Sequence, residues 1–171
     1  MGCVSYVWTF DQIRQHLLPH RHTLQELRIG LIGPLQTGLD RFGMHAFENL
    51  RTLQLCNIGM PSPEKACDLW LTPSLQRFVL EYSRMDLQCG ILWCFEEDHI
   101  SWLAAFSQIA ADRRKKGVSG LHAIEVISDT GINYKHPMSD SARRQIEANC
   151  AKAKVIVESF GIKFVWCREM Q

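Results

Sequence analysis

The residues that invite a chemical reading fall into four groups, and each implies a different chemistry. Asp129-Thr130-Gly131 follows an apolar run, the local form of a hydrolase that activates water between two carboxylates sharing a proton. A second such carboxylate has to come from another copy of the turn. The setting here is a repeat strand followed by a helix, so a turn built on Asp and Gly for their backbone preferences is the better account. His16, His20 and His22 put two imidazoles one helical turn apart, a spacing that can hold zinc. Pro19 interrupts that turn, and no Cys or carboxylate completes the set. Cys89 and Cys94 with His99 offer half of a thiolate site without its partner pair, so they read as buried thiols acting as small hydrophobes. Arg113-Arg114-Lys115-Lys116 is short for a nucleic-acid or nuclear-import patch and suits the negative end of a helix, where it reads as a solvated terminus. With no Gly-rich phosphate loop or nucleophile elbow in the chain, the expectation is no catalytic residue, no metal site and no cofactor. A small hydrolase using Asp129 or a Cys/His pair stands as the alternative.

Composition narrows the partners without naming one. The chain has 171 residues, 46% hydrophobic and 22% charged, with 19 Lys and Arg against 18 Asp and Glu. A chain of this length buries roughly 70% of the surface that it exposes when unfolded, so it needs neither disulfide nor metal to hold a core. A formal net charge of +1 gives no basic footprint for nucleic acid or an anionic membrane. Seven cysteines without framework spacing point to reduced thiols and an intracellular, cytoplasmic or nuclear, location. No apolar stretch approaches the roughly 20 residues of a membrane span. The expected partner is therefore a protein, with no nucleic acid and no membrane.

The elements that must position these residues are set by a repeat. Leu24-Gln-Glu-Leu27-Arg-Ile29 recurs as Leu50-Arg-Thr-Leu53-Gln-Leu55, as Leu75-Gln-Arg-Phe78-Val-Leu80 and as Leu121-His-Ala-Ile124-Glu-Val126. The starts at 24, 50 and 75 fall within the roughly 20–29-residue period of leucine-rich repeats, and the step from 75 to 121 is one repeat plus an insertion. A weaker fifth copy alternates Ile162, Phe164 and Trp166 with Lys163, Val165 and Cys167. Each copy is a short strand whose last two apolar positions face inward, and one such strand cannot bury its apolar side alone. The expected class is α/β: a leucine-rich-repeat-like solenoid, a partial horseshoe with a short parallel sheet on the concave side and helices or loops on the convex side. One domain is expected over 1–171. It comprises a truncated first repeat over 1–23, repeats from about 24, 50, 75 and 121, a helical insertion over about 96–117 and a helix-strand cap over 139–167.

Helix signals match this plan. Phe10, Ile13, Leu17 and Leu18 read as the end of a helix. Ser62-Pro63-Glu64 is an N-cap, a first-turn proline and an acidic first turn. Glu96-Glu97-Asp98 opens a longer helix with Ile100, Trp102, Leu103, Phe106, Ile109 and Ala110 on one stripe, closed at Gly117. Ser139 or Asp140 starts a third, carrying Ala142, Ile146, Cys150, Ala153, Val157 and Phe160 up to Gly161. Residues 31–46, with Gly33-Pro34, Gly38 and Gly43, read as loop or a ragged turn.

Placed on such strands, the outward positions form a row on the concave face: Glu26 and Arg28, Thr52 and Gln54, Arg77, Val79 and Glu81, then Glu125 and Lys163. Mixed charge with an apolar member suits a protein surface better than a phosphate backbone, whose binders carry one sign.

In order and spacing, the segments 18–30, 46–53 and 71–78 and the acidic Glu96-Glu97-Asp98 with its Trp102-Leu103 helix resemble the C-terminal region of fungal F-box/leucine-rich-repeat proteins, over about residues 10–128. The resemblance implies a repeat region that holds a target protein, beside an F-box that docks the linker subunit of a cullin-based ubiquitin ligase. With its first repeat at Leu24 the sequence carries no F-box, so binding to the linker subunit is not expected. A shortened family member, or a fragment with no independent function, is the corresponding expectation.

Overall fold

The computed structural model describes residues 8–30, 32, 38–57, 59–82, 95–128 and 139–168. Asp129, Cys89 and Cys94 lie outside them, and so does the 129–131 turn. Five strands, β1 (Glu26–Ile29), β2 (Thr52–Cys56), β3 (Arg77–Tyr82), β4 (Ala123–Ser128) and β5 (Lys163–Arg168), form one sheet in the order β1-β2-β3-β4-β5, and every pair is parallel. A parallel sheet whose strand order follows the chain turns each crossover the same way, so the connections collect on one face.

The periodic apolar residues are what that face buries. Register aligns Leu27, Leu53, Phe78, Ile124 and Phe164 in one row, and Ile29, Leu55, Leu80, Val126 and Trp166 in the next. Leu50, Leu75 and Leu121, which open their repeats, are fully buried behind the strand starts. A second repeat runs through the backbone at the same level. The carbonyl of Gln25 accepts from the N–H groups of Arg51 and Thr52, that of Arg51 from Gln76 and Arg77, and that of Gln76 from His122 and Ala123. The carbonyl of His122 accepts from Lys163. An oxygen with two lone pairs can take both donors, so each repeat is tied to the next one just before its strand begins.

The helices are α1 (Phe10–Leu17), α2 (Pro63–Trp70), α3 (Glu97–Lys115) and α4 (Asp140–Ser159). Thr9 and Gln12 form a capping box on α1, and the Ser62 hydroxyl caps α2 with Pro63 in its first turn. α2, α3 and α4 pack side by side, α2 on α3 and α3 on α4. The stretch 96–117, expected as an insertion, is the crossover from β3 to β4, and it supplies Ile100, Leu103, Phe106 and Ala110 to the same core as the repeats. Within 31–46, read as loop or a ragged turn, the described Leu39–Arg41 is a single turn of 3-10 helix, and Leu39, Phe42 and Met44 are buried.

Two backbone approaches fix how these parts meet. The N–H of Gly120 donates to the carbonyl of Thr72 at 3.1 Å, and a Cβ on Gly120 would collide with the carbonyl of Pro73. Only glycine lets the β4 approach lie this close to the turn before β3. At the end of α4, Gly161 takes φ +70°, and its carbonyl accepts from Arg114 at 3.1 Å.

That arginine overturns the expectation of a solvated helix end. Arg114 also donates to the carbonyls of Leu121 and Phe160, each at 3.2 Å, while Arg113 donates to the carbonyl of Cys67 at 2.8 Å and pairs with Asp68. The two guanidinium groups bind α3 to its neighbours on both sides. Their forked donors suit several carbonyls at once. Lys115 keeps the expected surface character, pairing with Asp112 at 3.2 Å.

Candidate functional site

Period-two alternation puts the other half of each strand on the face away from the helices. Register aligns Glu26, Thr52, Arg77, Ala123 and Lys163 in a first row, Arg28, Gln54, Val79, Glu125 and Val165 in a second, and Cys56, Glu81, Ile127 and Cys167 in a third. The residues expected on one face are on one face. Sequence reading left Cys56, Ala123 and Ile127 out of these rows and named Val165 and Cys167 only as alternating positions of the fifth copy, although extending the alternation through β2, β4 and β5 places all of them here.

The rows are bonded to one another. Glu26 accepts from Arg28 at 2.5 Å, and Glu81 accepts from the Gln54 amide at 2.8 Å. Arg77 Nε lies 3.2 Å from Glu125 Oε2, an ion-pair separation without hydrogen-bond alignment. The other oxygen of Glu125 accepts from the Cys167 thiol at 3.2 Å. Burial and that bond raise the pKa of Cys167, so the thiol stays protonated and is a weak nucleophile at neutral pH. Val79 differs from its expected role. It sits in register between Gln54 and Glu125 and is fully buried, so it underlies the polar bridges and does not itself meet a partner.

The face thus changes along the sheet. Toward β1 it is charged and self-paired, with Glu26 and Arg28 exposed. Toward β5 it is apolar and half-buried, with Ala123, Ile127, Val165 and Cys167 beside the exposed Lys163.

The other chemical candidates are dispersed. His16 packs edge-on against Trp8, with ring centroids 5.3 Å apart, and His22 lies 3.1 Å from Glu48 on the surface. No group of three or more potential metal ligands occurs among the described residues. Cys67 and Cys150 are buried, and burial pushes both thiols up to about 12. The Nδ1 of His99 accepts from the Glu96 N–H at 2.9 Å, capping α3.

No protein family, curated protein or solved structure gives a match to this chain. Its chemistry is therefore read from its own geometry. Among the described residues no helix is long and apolar enough to cross a membrane.

His99 also lines a second feature, a cavity of about 320 Å³ at the carboxyl ends of β2 and β3, with Asn57, Met60, Tyr82, Asp98 and Trp102. Among the described residues the buried Nδ2 of Asn57 has no hydrogen-bond partner, a condition that costs about 1–3 kcal/mol. No spacing rule announces this site, because its residues come from the ends of three elements.

Proposed function

We propose that the chain is a noncatalytic protein-interaction module of leucine-rich-repeat-like architecture, binding its partner on the open face of the sheet. The observation that carries this reading is one-sided covering: α2, α3 and α4 pack together while Glu26, Arg28 and Lys163 stand exposed on the opposite face. Two further points support it. The repeats step along the sheet in constant register despite unequal connections, as stacked repeat units do. The order of segments resembles the target-holding region of fungal F-box/leucine-rich-repeat proteins.

A partner on this face meets a charged end and an apolar end, the mixture found in reversible protein interfaces. The apolar end around Ile127 and Val165 takes the buried anchor, and the exposed charges at the β1 end set orientation and encounter rate. Changing Val165 to Glu together with Arg28 to Glu alters both ends while leaving the helix-side core intact. Affinity capture from the native proteome, quantified by mass spectrometry, is expected to lose the proteins retained by the wild type, with the melting midpoint nearly unchanged. An identical set retained by the folded double variant would overturn the reading. Charge reversal at Arg77 and Glu125 is less informative, because the swapped pair can still bridge.

A further inference from the structure

The cavity at the carboxyl ends of β2 and β3 is distinct from the open face, and its apolar walls with a few polar groups are those of a small-molecule site. We propose that it binds a small, flat, uncharged heterocycle bearing a hydrogen-bond acceptor beside an amine, the chemistry of a purine base.

The polar groups select for that chemistry. Asn57 lines the cavity and is 9% exposed, and among the described residues its Nδ2 is buried with no partner, a donor amide left unsatisfied at this wall. Tyr82 is 6% exposed and its ring lines the same end of the cavity. His99 gives its Nδ1 lone pair to the Glu96 N–H, which leaves the ring proton on Nε2 as a second donor. A ligand must therefore bring acceptors. Asp98 supplies a carboxylate, which asks for a donor in return and repels an anion. A cation is disfavoured by the amide and imidazole donors. What remains is a neutral molecule with both functions.

Shape narrows it further. About 320 Å³ is near the lower end of the roughly 300–1,000 Å³ range of small-molecule sites, room for one bicyclic ring system. Trp102 and Met60 give apolar walls, and an indole is a stacking surface for a base. The Trp102 N–H is already used on the Pro61 carbonyl at 2.8 Å, which holds the ring in place. A carboxamide presents donor and acceptor side by side, the pattern that pairs with the exocyclic amine and adjacent ring nitrogen of adenine.

The test uses the whole chain with adenosine as the probe, read by saturation-transfer NMR and titration calorimetry. Adenosine is expected to bind with a Kd of about 1 mM or tighter. Met60→Trp, which fills the half-buried wall, and Asn57→Leu, which removes the amide, should each weaken it by about tenfold or more. Adenosine monophosphate should bind more weakly than adenosine, because its phosphate meets the Asp98 carboxylate. Should Asn57→Leu fail to fold, Met60→Trp decides alone. The proposal is overturned by absence of adenosine binding to the wild type, by binding that survives in every folded variant, or by monophosphate binding more tightly than the nucleoside.

Discussion

The stretch from β1 to β3 and the stretch from β3 to β5 pair their strands in the same way and connect them differently. From Glu26 to Thr52 and from Thr52 to Arg77 the chain advances 26 and 25 residues, whereas from Arg77 to Ala123 and from Ala123 to Lys163 it advances 46 and 40. The first stretch fills its core from irregular chain and a short helix: Leu39, Phe42, Met44 and Phe47 are buried there, and the Trp70 indole is anchored on the Phe42 carbonyl at 3.0 Å. The second uses the long α3 and α4. The contrast teaches that register belongs to the turns that precede the strands, while connection length decides only how the covering layer is built.

Phe78 is where the two stretches meet, and its removal is the most severe way to break the comparison. Its ring contacts Trp70, Trp102 and Phe106, with centroids 5.5, 6.5 and 5.2 Å away. Phe78→Ala is expected to cost about 3–5 kcal/mol, seen as a large fall in the urea midpoint. The transition should stay single, since both stretches lose the same contact; two separate transitions would mean that they fold independently. Gly120→Val comes next, at about 3 kcal/mol, because the side chain must displace the Pro73 carbonyl. Thermal unfolding checks it.

Arg114→Met sharpens the comparison by acting on the second stretch alone. It leaves the carbonyls of Leu121, Phe160 and Gly161 without their guanidinium donor, at about 2 kcal/mol. Hydrogen exchange should quicken around β5 before it does around β1 and β2. The smallest effect concerns acid. Burial lowers the pKa of His99, so the unfolded chain takes up that proton first as pH falls. The contribution is complete above the unfolded value of about 6.5 and is lost as pH drops through the lowered folded value. His99→Gln keeps an acceptor for the Glu96 N–H and removes the titration, so its stability curve should be flatter below pH 6.5 than that of the wild type.

The parts of the fold that were legible in the sequence are those with a period. The inward pairs from Leu27 and Ile29 to Phe164 and Trp166 follow from alternation and repeat spacing, and the cap at Ser62 and the acidic opening of α3 at Glu96-Glu97-Asp98 from helix-start chemistry. What the sequence did not disclose depends on partners far along the chain. Arg114 looks like any helix-end cation until Gly161 arrives beside it, and Val79 like a surface residue until Gln54 and Glu125 flank it. The candidate face was legible as a set of positions and not as a bonded network. The cavity had no sequence signal at all, since Asn57, Tyr82 and His99 converge only once β2, β3 and α3 are placed.

The paired-donor carbonyls of Gln25, Arg51 and Gln76 act as a ratchet. Each accepts its two N–H groups only when the following repeat arrives in phase, so a strand displaced by one residue would forfeit both bonds and turn its leucines outward. Chain added between two such teeth is paid out into the covering layer and never into the sheet. A lineage carrying this device can therefore lengthen or trade its connecting segments, and with them whatever pockets they enclose, while the outward-facing rows keep their alignment.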